Sequence, residues 1–90
     1  MRRTLQWHGD AWDEYCEWQQ TDEATLRRIN VLIKDARRDP FTGIGKPEPL
    51  KHDLSGLWSR RINDTDRLTY YLEDGILIIV GCKGHYDDWQ

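Results

Sequence analysis

Leu57-Trp58-Ser59-Arg60-Arg61-Ile62, Arg67-Leu68-Thr69-Tyr70-Tyr71-Leu72 and Ile76-Leu77-Ile78-Ile79-Val80-Gly81-Cys82 follow one another with only Asn63-Asp64-Thr65-Asp66 and Glu73-Asp74-Gly75 between them. These three runs are rich in aromatic and β-branched residues and are bounded by turn formers, so they are expected to be three strands joined by tight connections. The third run is almost continuously apolar, which predicts a central strand covered on both faces.

Upstream of them the period changes from two to that of a helix. Gly9 or Asp10 can open a helix reaching about Gln20, with Trp12, Tyr15, Cys16 and Trp18 as its apolar stripe. Thr21, followed by Asp22 and Glu23, is expected to cap a second helix. In it Leu26, Ile29, Leu32, Ile33 and Ala36 recur opposite Arg27, Arg28, Lys34 and Asp35. Pro40 ends it. Residues 4–8 suit a short first strand, and residues 41–49, with two glycines and two prolines, read as an irregular loop. The expectation is an α+β domain spanning 1–90, two N-terminal helices on one face of a mostly antiparallel sheet of about four strands.

Hydrophobic residues are 38% and charged residues 32% of the 90, the balance of a globular protein rather than a disordered or membrane one. No apolar run approaches the roughly 20 residues of a membrane span, and Met1-Arg2-Arg3 is followed too soon by polar residues for a signal peptide, so a cytoplasmic protein is expected. Cys16 and Cys82 belong to no metal or redox motif and are expected as buried free thiols. Net charge is −3, against the basic balance usual for nucleic-acid binding. Any RNA site must therefore be local, and residues 46–61 do hold Lys46, Lys51, Arg60 and Arg61 against only Glu48 and Asp53.

Glu48, Lys51, Arg61, Arg67, His85 and Tyr86 all fall in the sheet half and can form a phosphodiester site. Cleaving RNA through its own 2′-hydroxyl requires a base, cations for the crowded phosphorane and an acid for the 5′-oxygen. A carboxylate, arginines and a histidine supply these without metal or other cofactor. For the two arginines to share a phosphate they must face one side of the sheet, with Leu68, Tyr70 and Leu72 toward the helices. A plain four-residue turn over 63–66 would pair Ile62 with Arg67 and turn Arg61 away, so a longer turn or a bulge is expected.

These segments resemble the YoeB (Txe) family. The resemblance rests on Gly45-Lys46-Pro47-Glu48-Pro49-Leu50-Lys51-His52, Leu54-Ser55-Gly56-Leu57-Trp58-Ser59-Arg60-Arg61-Ile62, Arg67-Leu68-Thr69-Tyr70 and His85-Tyr86. Trp12-Asp13-Glu14-Tyr15 and Ile33-Lys34-Asp35-Ala36-Arg37-Arg38-Asp39-Pro40-Phe41 extend it, in the same order, over the span from Leu5 to Tyr86. It implies a RelE-like fold, ribosome-dependent cleavage of messenger RNA in the A site, inhibition by a YefM-like antitoxin and a homodimer. Operon DNA would be met only through the antitoxin complex. By the same resemblance Glu48 is the general base, Arg67 the phosphate-stabilising arginine, His85 the general acid, Lys51 and Arg61 supporting cations, and Tyr86 the aromatic that completes the site.

Two features depart from the family pattern. Asp87-Asp88-Trp89-Gln90 follows the position where it usually stops, placing two carboxylates after the histidine, and Gly84 precedes that histidine. Plainer readings stand beside the functional ones. Taken alone, His85 is a solvated residue and Glu48 a loop carboxylate between prolines. Arg60 is expected on the solvated side of its strand or paired with Asp64 and Asp66. Trp12, Tyr15, Trp18, Trp58 and Tyr70 are expected in the core, with Trp7 and Trp18 alternatively at a dimer or antitoxin contact. His8 and His52 are expected to be structural or solvated. The rival functional reading is a catalytically weak RelE-fold partner acting in antitoxin binding and operon autoregulation; Glu48, Arg67 and His85 being present together argues against it.

Overall fold

The computed structural model describes residues 3–84; Met1, Arg2 and residues 85–90 lie outside it. In chain order the elements are β1 (Thr4–Trp7), α1 (Gly9–Thr21), α2 (Glu23–Arg38), β2 (Glu48–Pro49), a 3₁₀ turn at His52–Leu54, β3 (Trp58–Arg61), β4 (Arg67–Glu73) and β5 (Ile76–Gly81). The sheet order is β1-β5-β4-β3-β2, parallel between β1 and β5 and antiparallel elsewhere. The α+β class and the helical layer are as expected, with five strands in place of about four. The extra one is β2, two residues that pair Glu48 with Ser59 and Pro49 with Trp58. A further correction concerns β5. It is interior, between β1 and β4, but the middle strand is β4.

The core lies between helices and sheet. Ile29, Leu32, Ile33 and Ala36 of α2 and Ala11 of α1 meet Leu68, Tyr70, Leu77 and Ile79 from the strands. Each large aliphatic side chain so buried contributes roughly 1.5 to 3 kcal/mol relative to exposure. The α2 stripe is the one its periodicity predicts. On α1 the small Ala11 is buried instead, and Trp12 remains 47% exposed, its ring against Trp7 and Tyr15. Asp22, not Thr21, caps α2, its carboxylate accepting from the Thr25 amide at 3.1 Å, while Thr21 ends α1 and bonds back to the Glu17 carbonyl. Cys82 is buried and Cys16 only partly so; burial, with the charges of Glu14 and Asp66, pushes the Cys82 thiol up to about 12.

Arg60 corrects the expectation of a solvated charge. It is fully buried on the helix face, the side that alternation assigns to Trp58 and Ile62. Its guanidinium spends all five donors. Nε donates to the Tyr70 hydroxyl at 2.9 Å, Nη1 to Asp35 Oδ2 at 2.6 Å and the Ile44 carbonyl at 3.0 Å, and Nη2 to the carbonyls of Asp39 at 2.7 Å and Thr42 at 2.9 Å. Tyr70 in turn donates to the Pro40 carbonyl at 2.6 Å. The irregular loop after α2 is therefore built around one cation, and that loop leads into Glu48.

Candidate active site

The β3–β4 hairpin decides whether the site can exist, because it sets which residues share a face. Arg61 pairs directly with Arg67, and Ser59 with Thr69. Both arginines thus lie on the face away from the helices, as a shared phosphate requires. The connection that achieves this is shorter than expected, not longer. The Ile62 amide donates to the Asp66 carbonyl at 3.0 Å, leaving residues 63–65 as the loop proper. Asn63 closes it, its Oδ1 accepting the amides of Thr65 at 2.9 Å and Asp66 at 2.7 Å. Among the described residues the register shift lies between β4 and β5, at Thr69/Tyr70.

On that open face β2 brings Glu48 beside Ser59, and Arg67 reaches over β3 from the far side. Arg67 Nη1 lies 2.9 Å from Glu48 Oε1 and 3.4 Å from Ser59 Oγ. The Glu48 side chain is 47% exposed and that of Arg67 15%, so solvent, or a ligand in its place, meets the carboxylate first and finds the guanidinium already fixed. Arg61 is exposed next to Arg67; its amide donates to the Gly45 carbonyl at 2.7 Å and its own carbonyl accepts from Arg28 Nη2 at 3.2 Å. Lys51 is exposed at the far end of the 45–51 segment, and its carbonyl accepts the Leu54 amide. The structure thus unites Glu48, Arg67 and Arg61, and leaves Lys51 at the edge. His85 and Tyr86 lie outside the described residues.

Two polar residues of this face escaped the reading of the sequence. Ser59 and Thr69 are fully buried, directly opposed in the row Glu48, Ser59, Thr69, and the Thr69 hydroxyl has no hydrogen-bond partner among the described residues. Alternation could have shown them: both are small hydroxyl residues at strand positions two removed from a site arginine. A carboxylate against a guanidinium on a sheet face, with a second arginine alongside, can accept a proton and hold an anion within one ligand's reach.

The site sits within a chain that matches known proteins along nearly its whole length. A family model described as the YoeB-like toxin of a bacterial type II toxin-antitoxin system matches residues 7–86. The chain belongs to the YoeB toxin family. A YoeB toxin of Escherichia coli (strain K12) is 55% identical over 82 residues, 91% of this chain and 98% of that one. Among solved structures, the YoeB dimer from Staphylococcus aureus superimposes with a TM-score of 0.87 at 40% identity, covering 96% of this chain and all of the other. The heterotetrameric YoeB-YefM toxin-antitoxin complex from the same organism gives 0.85 at 40% identity, with the same coverage. The RelE-like architecture expected from the sequence is therefore that of YoeB toxins, and the matched span includes Glu48, Lys51, Arg61, Arg67, His85 and Tyr86.

Proposed function

We propose that this YoeB-family toxin is a ribosome-dependent endoribonuclease that cuts messenger RNA in the A site, acts in the cytoplasm and is neutralised by a YefM-like antitoxin. The observation that carries the reading is the Glu48–Arg67 pair, a carboxylate and a fixed guanidinium 2.9 Å apart on the open face of the sheet. Glu48 takes the proton of the 2′-hydroxyl, the 2′-oxygen attacks the adjacent phosphorus, and the bond to the 5′-oxygen breaks as His85 returns a proton to it. Arg67 holds the charge that develops on the phosphorane, Arg61 and Lys51 dock the flanking phosphates, and Tyr86 stacks on or orients the substrate. The pairing of base and arginine has its own consequence. As Glu48 gains a proton its hold on Arg67 weakens, at the moment when the phosphate needs that charge.

Dependence on the ribosome agrees with a net charge of −3. A free ribonuclease needs a phosphate track of its own, whereas one whose substrate is bent and presented by ribosomal RNA needs cations for only a phosphate or two. The antitoxin and homodimer assignments are supported by the YoeB-YefM complex and the YoeB dimer of Staphylococcus aureus.

The test is end-mapping by mass of fragments from programmed ribosomes. A 2′,3′-cyclic phosphate and a 5′-hydroxyl are expected, without a requirement for added divalent metal in the chemical step, and a 2′-deoxy substitution at the cut site should abolish cleavage. Replacing Glu48, Arg67 or His85 should cost about 10²-fold to 10⁴-fold in cleavage while ribosome binding survives. A 5′-phosphate end, or cutting of the deoxy substrate, would refute the mechanism.

A further inference from the structure

Beyond β5 the chain is held on two sides. From the helical side, Glu14 Oε1 accepts the Cys82 amide at 2.8 Å, Trp18 Nε1 donates to the Cys82 carbonyl at 2.9 Å, and Lys83 pairs with Glu17. From the sheet side, the Gly84 amide donates to Asp66 Oδ1 at 2.7 Å and the Gly84 carbonyl accepts the Arg67 amide at 3.0 Å. Both backbone groups of Gly84 are thus taken by two successive residues, Asp66 and Arg67. Gly84 has φ of +80°, a left-handed conformation that glycine adopts at no steric cost.

The Asp66 side chain is itself fixed. Its Oδ2 accepts from Asn63 Nδ2 at 3.1 Å and from the Thr65 hydroxyl at 3.2 Å, so Oδ1 is presented to Gly84 by a carboxylate with little rotational freedom. The short 63–65 loop therefore does two things. It puts Arg61 and Arg67 on one face, and it aims a carboxylate at the residue preceding His85 in the sequence. The Arg67 bond continues the antiparallel approach of β5 to β4 past Gly81, and the Asp66 carboxylate adds the second hold on Gly84.

We infer that Asp66 is a positioning residue of the RNA site: by clamping Gly84 against the Arg67 backbone, it fixes the point from which the chain continues to His85 relative to the arginine that holds the phosphate. This rests on the acid role proposed for His85. The clamp consists of the Asp66 carboxylate and the backbone groups of Gly84 and Arg67, none of which is assigned to holding RNA, so its loss should slow the chemical step and spare docking.

The experiment is single-turnover cleavage on programmed ribosomes over a range of toxin concentration, with hydrogen exchange of the Gly84 amide followed in parallel. Asp66→Ala should lower the saturated rate about 10-fold to 100-fold, the scale of a small misplacement of a reacting group. Its half-saturating concentration should stay within about twofold of wild type, and Gly84 amide protection should be lost. Asp66→Asn, which keeps an oxygen acceptor for the Gly84 amide, should recover most of the rate. Asp64→Ala, an exposed position of the same loop that makes none of the bonds holding Asp66 or Gly84, should cleave within about twofold of wild type. In a His85→Ala background, Asp66→Ala should cost nothing further, because the two act as a unit. The inference is overturned by an unchanged rate in Asp66→Ala, by an equal loss in Asp64→Ala, or by an equal further loss in the His85→Ala background. If His85→Ala itself cleaves at the wild-type rate, the acid assignment fails, and the clamp's role falls with it by a separately visible result.

Discussion

Arg60 and Asp35 form an ion pair in which one partner has no access to water, and that asymmetry sets what each substitution should do. Burial raises the Asp35 pKa, but hydrogen bonds from Arg60, Arg38 and the Ile44 amide outweigh it and bring the carboxyl down to about 2. Because the folded value lies below the unfolded one, the pair's contribution is complete above about pH 4 and is lost as pH falls toward 2. Asp35→Asn should destabilise the fold by about 3 kcal/mol at neutral pH, chiefly because the buried guanidinium loses its counter-charge, and should flatten the acid limb between pH 4 and 2. Denaturant titrations over that range check both. Glu14 behaves oppositely. Burial, partly offset by the Cys82 amide and Lys83, raises its pKa, so its ionised form costs stability that returns as pH falls through the raised value. Glu14→Gln keeps an acceptor for Cys82 and should be as stable as wild type at neutral pH or slightly more so, with a flatter profile between neutrality and pH 4.5; a loss above about 1 kcal/mol would contradict this. The roles proposed for Glu48 and Arg67 come from family resemblance; their pairing at 2.9 Å depends on the register of β2, β3 and β4 and had to come from the structure. The burial of Arg60 was legible through alternation alone, since it stands between Trp58 and Ile62, but charge type argued for solvent and five unseen acceptors decided the matter.

The elements that a sequence shows best are those whose order is local. Asp74-Gly75 takes positive φ at both residues, 53° and 78°, as its two-residue hairpin demands, and α2 buries the stripe its period announces. β2 was not legible, because two residues, one of them a proline and the other preceded by one, carry no period, and they form a strand only because β3 is there to pair with. The parallel β1–β5 contact likewise depends on partners far apart in sequence. Gly45 is the hinge of the non-local part. Its φ is +80°, its carbonyl receives the Arg61 amide, and a Cβ there would stand 2.6 Å from Leu32 Cδ2 and 3.2 Å from Arg60 Cβ. Gly45→Ala should therefore cost about 2 kcal/mol or more, from left-handed strain and crowding together. Because Glu48 follows three residues later, cleavage should fall beyond what the folded fraction explains. Thermal melting alongside ribosome cleavage at a temperature where the variant is folded separates the two effects; an alanine variant of wild-type stability would show that the 45–48 segment adapts freely.

At the scale of the molecule, an acidic chain places the exposed cations Lys46, Lys51 and Arg61 on the segments that carry the Glu48–Arg67 pair. An antitoxin that silences such a site has a direct route, to lay acidic side chains where RNA phosphates would lie, covering Glu48 and Arg67. Affinity should then weaken as salt rises, and the two arginines should contribute differently because they differ in exposure. Arg61, at the rim, should act mainly through association, so Arg61→Ala should slow binding several-fold and reduce the salt dependence. Arg67 is mostly buried and already bonded to Glu48 and Ser59, so Arg67→Ala should act on dissociation and cost about 10-fold or more, part of it from leaving Glu48 without its partner beside an acidic segment. Surface-binding kinetics of the toxin with a YefM-like antitoxin at two salt concentrations provide the measurement. If both variants keep wild-type rates and the wild-type salt slope, the antitoxin holds the toxin at another surface and inhibition does not proceed by covering Glu48 and Arg67.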